Sequence, residues 1–117
     1  HLTTEEILKD EAGYPGPMNP ETLELLFQKI NSLEKRGVYV FVSWPPLPQS
    51  IYELNSAIAE ARYETLVEKI GKERVVGKPT NFIFEDEMFL DGAAHLNHLG
   101  KKDFTRRLIS LLKPYLE

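Results

Sequence analysis

Asp91 and His95 stand four residues apart, just ahead of an apolar-periodic segment that reads as a helix. A carboxylate beside an imidazole holds one ring tautomer and stabilises the imidazolium, which leaves the other ring nitrogen free to take a proton from a hydroxyl. Imidazole titrates near neutral pH, the range a general base needs. The same spacing also fits, and more commonly, a loop aspartate capping a turn and a histidine bonded locally. Ser43 ends an apolar run, where the sites of α/β proteins gather, and is a substitute nucleophile by position. It lacks the Gly-x-Ser-x-Gly elbow that would sharpen that reading. Asp91, His95 and His98 carry oxygen and nitrogen metal ligands, but one oriented and one exposed histidine fits better, so neither a metal nor any other cofactor is expected. Glu85-Asp86-Glu87 reads as a solvated acidic loop before it reads as a cation site. Trp44, beside prolines at the strand end, either lines a ligand cleft or packs into the core.

These residues need a scaffold, and composition limits which one. A chain of 117 residues suits one domain. Its 42% hydrophobic and 27% charged content is ordinary for a globular protein and excludes a disordered tail, a collagen repeat and a coiled coil. No apolar run approaches the roughly 20 residues of a membrane span, and the N-terminus shows no signal-peptide pattern. The chain begins with His1, which points to a piece cut from something longer or to a tag remnant. The charge count is 14 Lys+Arg against 18 Asp+Glu, a net −4. This argues against nucleic acid as a partner, because phosphate-backbone binding needs a basic surface. Lys101, Lys102, Arg106 and Arg107 lie close together but within the last helix, where they read as a solvated face. With no cysteine, disulfides, Cys-ligated zinc and a Cys nucleophile are excluded, and the compartment stays open.

Thr3-Thr4-Glu5-Glu6 opens a short capped helix, followed by a Gly/Pro turn over residues 13–17. Asn19-Pro20 starts the first long helix, with Leu23, Leu26, Phe27, Ile30 and Leu33 on one face and Gly37 at its end. Val38-Tyr39-Val40-Phe41-Val42 has no polar alternation and predicts a strand buried on both faces. Pro45, Pro46 and Pro48 force an irregular loop after it. Ser50 and Glu53 predict a capping box for a helix reaching Ile70 and closed by Gly71. Short strands are expected at Arg74–Val76 and Asn81–Phe84. The final helix is expected from about Leu99 to Leu112, capped by Asn97 and closed by Pro114.

Helix, strand, helix, strand, helix implies a βαβ unit, so the class is α/β with parallel strands. Residues 1–18 form an N-terminal arm, and residues 19–117 resemble the second half of a domain. Only two or three strands can be counted where a doubly wound sheet normally has about five. An apolar strand at a bare edge templates pairing, so a homo-oligomer, or pairing with a missing N-terminal half, is expected. Ile7, Leu8 and Tyr14 are the residues available to cover the gap otherwise.

The segment Phe89-Leu90-Asp91-Gly92-Ala93-Ala94-His95-Leu96-Asn97-His98-Leu99-Gly100, continuing to Phe104-Thr105, resembles the last motif block of SGNH/GDSL-type hydrolases. It is most similar to the SGNH-like proteins of bacterial envelope and polysaccharide-modification systems. Gly37 to Pro46 resembles the strand-then-proline segment of the same group, and the likeness spans roughly residues 19–113. It implies αβα layers, here a partial flavodoxin-like parallel sheet, and ester or acyl-transfer chemistry on a carbohydrate or lipid-like O-acyl substrate. Through it, Asp91 and His95 match the triad acid and base, and a cell-envelope location is suggested. The block departs from the family in two ways. Three residues separate Asp91 from His95 where two are common, and no Gly-Asp-Ser nucleophile block occurs in the 117 residues. The chain alone is therefore expected to be inactive as a serine esterase, and a non-catalytic α/β module retaining the motif is the competing expectation.

Overall fold

The structure, a computed structural model, describes residues 3–9, 18–92 and 95–116. Helix α1, Thr4–Lys9, is closed by a capping box. The Thr3 hydroxyl accepts from the Glu6 N–H at 3.2 Å, and the Glu6 carboxylate accepts back from Thr3. Its Ile7 is fully buried, so α1 packs into the core. Tyr14 lies outside the described residues. Helix α2, Pro20–Lys35, starts where expected. The Asn19 side chain accepts from the N–H groups of Glu21 and Thr22 at 2.8 and 3.2 Å. Gly37, at φ 84°, ends it in the left-handed conformation that residues with a Cβ rarely adopt.

Helix α3, Gln49–Ile70, begins without the expected capping box. Ser50 sits inside the first turn, its backbone N–H donates to Asp86 Oδ1 at 3.1 Å, and its hydroxyl has no partner among the described residues. Glu53 instead accepts from the Gln49 side chain. A carboxylate from a distant turn thus takes the role that local sequence assigned to Ser50. The helix kinks at Asn55, whose side-chain amide donates to the Ile51 carbonyl at 2.8 Å, a local bond that competes with the helical ladder. Helix α4, His98–Leu116, runs through Pro114 rather than stopping before it. The missing proline N–H costs little in this last turn, because Ser110, whose carbonyl loses its donor, is exposed to water. Beyond the proline, Tyr115 packs edge-on against Phe41 at 5.2 Å and donates to the Val75 carbonyl.

Helical turns account for about 70% of the described residues, so the protein is α/β with helix dominant. The sheet is small and parallel. Strand β1, Leu47–Pro48, pairs with β2, Ile83–Phe84, in the register Leu47 to Ile83. Pro48 is tolerated because a strand end requires no N–H there. Val42 makes one more parallel bridge, to Val75. The expected strand over residues 38–42 is not buried on both faces: Val38 is 45% exposed and Tyr39 88%. Burial on both faces needs a packed layer over each of them, and the described residues lay none over Val38 or Tyr39.

The core joins Ile30 of α2, Ile51, Leu66 and Ile70 of α3, and Phe82, Phe84, Phe89 and Leu96 from the C-terminal half. Full burial of each such side chain is worth about 1.5–3 kcal/mol. The Glu34 carboxylate accepts two bonds from Arg74, at 2.8 and 2.6 Å, which ties α2 to the turn after α3. Among the described residues, no helix is long and apolar enough to cross a membrane.

Candidate functional site

Phe89 and Leu96 form an antiparallel bridge, and both are buried. Leu90 N–H donates to the His95 carbonyl at 2.8 Å, closing a tight loop whose tip carries the polar residues. Ala93 and Ala94 within it lie outside the described residues. The loop follows β2 and leads into α4. Two apolar anchors pointing inward leave Asp91 and His95 facing out.

There the two side chains meet. Asp91 Oδ1 lies 2.7 Å from His95 Nδ1. Both are open to water, His95 70% exposed and Asp91 66%. Nε2 has no partner among the described residues. The arrangement therefore holds one imidazole face by a carboxylate and presents the other to an incoming hydroxyl. That is the geometry of a general base with its orienting acid.

The rest of the motif positions this pair. Asn97 Oδ1 accepts from the Gly100 N–H at 3.0 Å, capping α4. Its side-chain amide donates to the Glu87 carbonyl at 2.9 Å, tying the cap to the preceding turn. Gly100 packs so closely that a Cβ there would lie 3.0 Å from the Met88 carbonyl oxygen and 2.8 Å from a Leu96 methyl. Leu, Asn and Gly in His-Leu-Asn-x-x-Gly thus act as anchor, cap and close approach.

Ser43 and Trp44 are placed elsewhere. The Ser43 hydroxyl donates to the Val76 carbonyl at 3.1 Å, and Trp44 Nε1 donates to the Gly77 carbonyl at 2.9 Å. Trp44 is buried against Tyr63. Both residues clasp the 43–44 segment to 76–77, and neither lines the cavity beside His95. That cavity, about 310 Å³, is bounded by Asp91, His95 and Lys101 together with Pro46, Leu90, Leu96 and Phe104.

Lys101, Lys102 and Arg106 are exposed, as a solvated face requires, and Arg107 departs from it. Lys101 borders the cavity. Arg107 donates to the Ile83 carbonyl at 2.8 Å, pairs with Asp103 and stacks 4.1 Å over Phe84. Arg106 and Arg107 hold the Asp103 carboxyl below its usual range. The signal for Lys101 lay in the cap: from Asn97, residue 101 is one turn on and shares its face, and Phe104 follows three residues later. In the acidic run, a hydrogen bond between the Glu85 and Glu87 side chains, and then the repulsion of their charges, raise the Glu85 carboxyl above its ordinary value. Among the described residues no three His, Asp or Glu side chains converge as a metal site, so Asp91, His95 and His98 are not gathered around one.

No protein-family model matches the chain, and comparisons with curated proteins and with solved structures give no match.

Proposed function

We propose that the chain is the C-terminal portion of an SGNH-hydrolase-like esterase or O-acyltransferase with αβα, flavodoxin-like layering, acting on O-acyl esters of carbohydrate or lipid-like molecules at the cell envelope. The observation that carries this reading is the 2.7 Å Asp91–His95 contact with Nε2 free at the edge of a cavity. In this scheme a serine from outside these residues gives its proton to His95 Nε2 and attacks the ester carbonyl. Asp91 accepts the Nδ1–H bond and stabilises the imidazolium. His95 then returns the proton to the departing alkoxide. Ser43 takes no part, because its hydroxyl is committed to Val76.

The test is hydrolysis of an activated acetate ester by the protein expressed with the reading frame that precedes His1, beside the chain alone. The extended protein should turn over, His95→Ala should abolish it, and the chain alone should stay at background. Full activity in the extended His95→Ala variant would remove the reading.

A second reading, a non-catalytic α/β interaction module, is favoured by one observation. Val42 bonds to Arg74 and Val76 on one side, so the parity of an extended chain turns the N–H and C=O groups of Tyr39, Phe41 and Ser43 to the other side. Those backbone groups have no partner among the described residues. The two readings share this edge: an enzyme would fill it with strands of its other half, a module with a second copy.

A further inference from the structure

Four of the seven residues around the cavity beside His95 present carbon surface: Pro46, Leu90, Leu96 and Phe104. The remaining three are ionisable, and they are not equivalent. Asp91 and His95 are hydrogen-bonded to each other, the carboxylate engaged on Nδ1, and the pair keeps one negative charge while the ring is neutral. Lys101 has no ion pair among the described residues. The nearest acid along its own helix, Asp103, is taken up by Arg106 and Arg107 and so does not neutralise it. Lys101 also stands in the first turn of α4, where the helix dipole adds to its positive field. The cavity therefore combines an apolar wall, a lysine with no ion pair among the described residues and, on its other side, the Asp91–His95 pair. Its size sits at the lower end of small-molecule pockets, about 300–1,000 Å³, which suits a short ligand.

The geometry points to a site for short aliphatic acyl groups and their carboxylates, with the chain against Leu96 and Phe104 and the carboxylate on Lys101. This rests on the reading of His95 as the general base, and it names the acyl half of the ester as the part this chain binds. Lys101 is then a specificity residue that holds the carboxylate of the acid product. It touches no proton in the reaction.

Titration of the isotope-labelled chain with sodium butyrate, followed by amide NMR at constant ionic strength, tests this directly. Saturable shifts should appear at Leu96, Lys101 and Phe104. Acetate, two methylenes shorter, should bind roughly fifteenfold more weakly, since each buried methylene is worth about a factor of four. Butanol should bind without any dependence on residue 101. Lys101→Ala should weaken butyrate at least fivefold, and Lys101→Arg should restore it. Position 101 is exposed on a helix that tolerates both residues, so a circular dichroism spectrum confirms that the fold is kept. Non-saturating shifts, or equal butyrate affinity in Lys101→Ala, would overturn the proposal. That failure leaves the base assignment standing, because the latter falls only if His95→Ala keeps ester hydrolysis in the extended protein.

Discussion

Asp91 Oδ1 meets His95 Nδ1 at 2.7 Å across the loop that Phe89 and Leu96 close. The contact fixes the proton on Nδ1 and leaves Nε2 as the acceptor whenever the ring is neutral. Asp91→Ala should therefore shift the tautomer balance of His95 toward Nε2–H, read by long-range nitrogen–proton NMR above neutral pH. Because both groups are mostly exposed, the same substitution should change folding stability by no more than about 0.5 kcal/mol. An unchanged tautomer would show that the pair does not orient the ring.

Gly100→Ala should be costlier than a helix-interior Gly→Ala normally is. Alanine is the better helix former by about 1 kcal/mol, yet its Cβ here meets the Met88 carbonyl oxygen at 3.0 Å. We expect net destabilisation of about 1–3 kcal/mol in urea melts. His95 resonances should move as well, because the shifted turn carries the loop with it. A stabilised variant would contradict the close approach.

Ser43→Ala should act on stability alone. It removes the bond to the Val76 carbonyl and costs about 1 kcal/mol. Ester hydrolysis by the extended protein should be unaffected; a loss of turnover beyond the loss of folded protein would restore Ser43 as a nucleophile.

The open edge at Tyr39, Phe41 and Ser43 should pair. Residues 37–44 contain no charge to discourage it. An antiparallel pairing of two copies about Phe41 matches Tyr39 with Ser43 in both directions. Light scattering at tens of micromolar should show a dimer, and Tyr39→Lys should return it to monomer without loss of fold, since that side chain is 88% exposed. A monomeric chain whose 39–43 amides exchange at once would exclude the pairing.

Acid should weaken the link between α2 and the turn after α3. The Arg74 guanidinium hydrogen-bonded to Glu34 holds its carboxyl below the ordinary 4.5. A depressed folded value means the stabilisation is present above pH 4.5 and is lost as pH falls through the folded value. Glu34→Gln should flatten that limb of a stability curve measured between pH 3 and 7. Glu85 has the opposite sign: Glu87 raises its folded value, so repulsion is relieved as pH falls, and Glu87→Gln should stabilise the chain most above that value.

Local rules alone determined much of this protein. Asn19 and Thr3 cap because their side chains reach N–H groups two or three residues away. Gly37 ends α2 because its φ of 84° excludes a Cβ. Asp91 and His95 meet because the bridge between Phe89 and Leu96 closes a short loop that brings positions 91 and 95 to its outer side. The helix–strand alternation implied parallel pairing, and Val42–Val75 obeys it, while the other parallel pair, Leu47–Ile83, forms where the prolines predicted an irregular loop. What tertiary structure decided concerns partners distant in sequence. Ser50 lost its cap to Asp86, 36 residues away. Ser43 and Trp44 were turned to the carbonyls of Val76 and Gly77, each 33 residues on. Arg107 left the solvated face for the Ile83 carbonyl, and α4 kept its turn past Pro114 because Tyr115 found Phe41 and Val75. The exposure of Tyr39 had the same origin. Apolar composition expresses a preference for burial, but only layers packed over both faces can provide it, and among the described residues none covers Val38 or Tyr39.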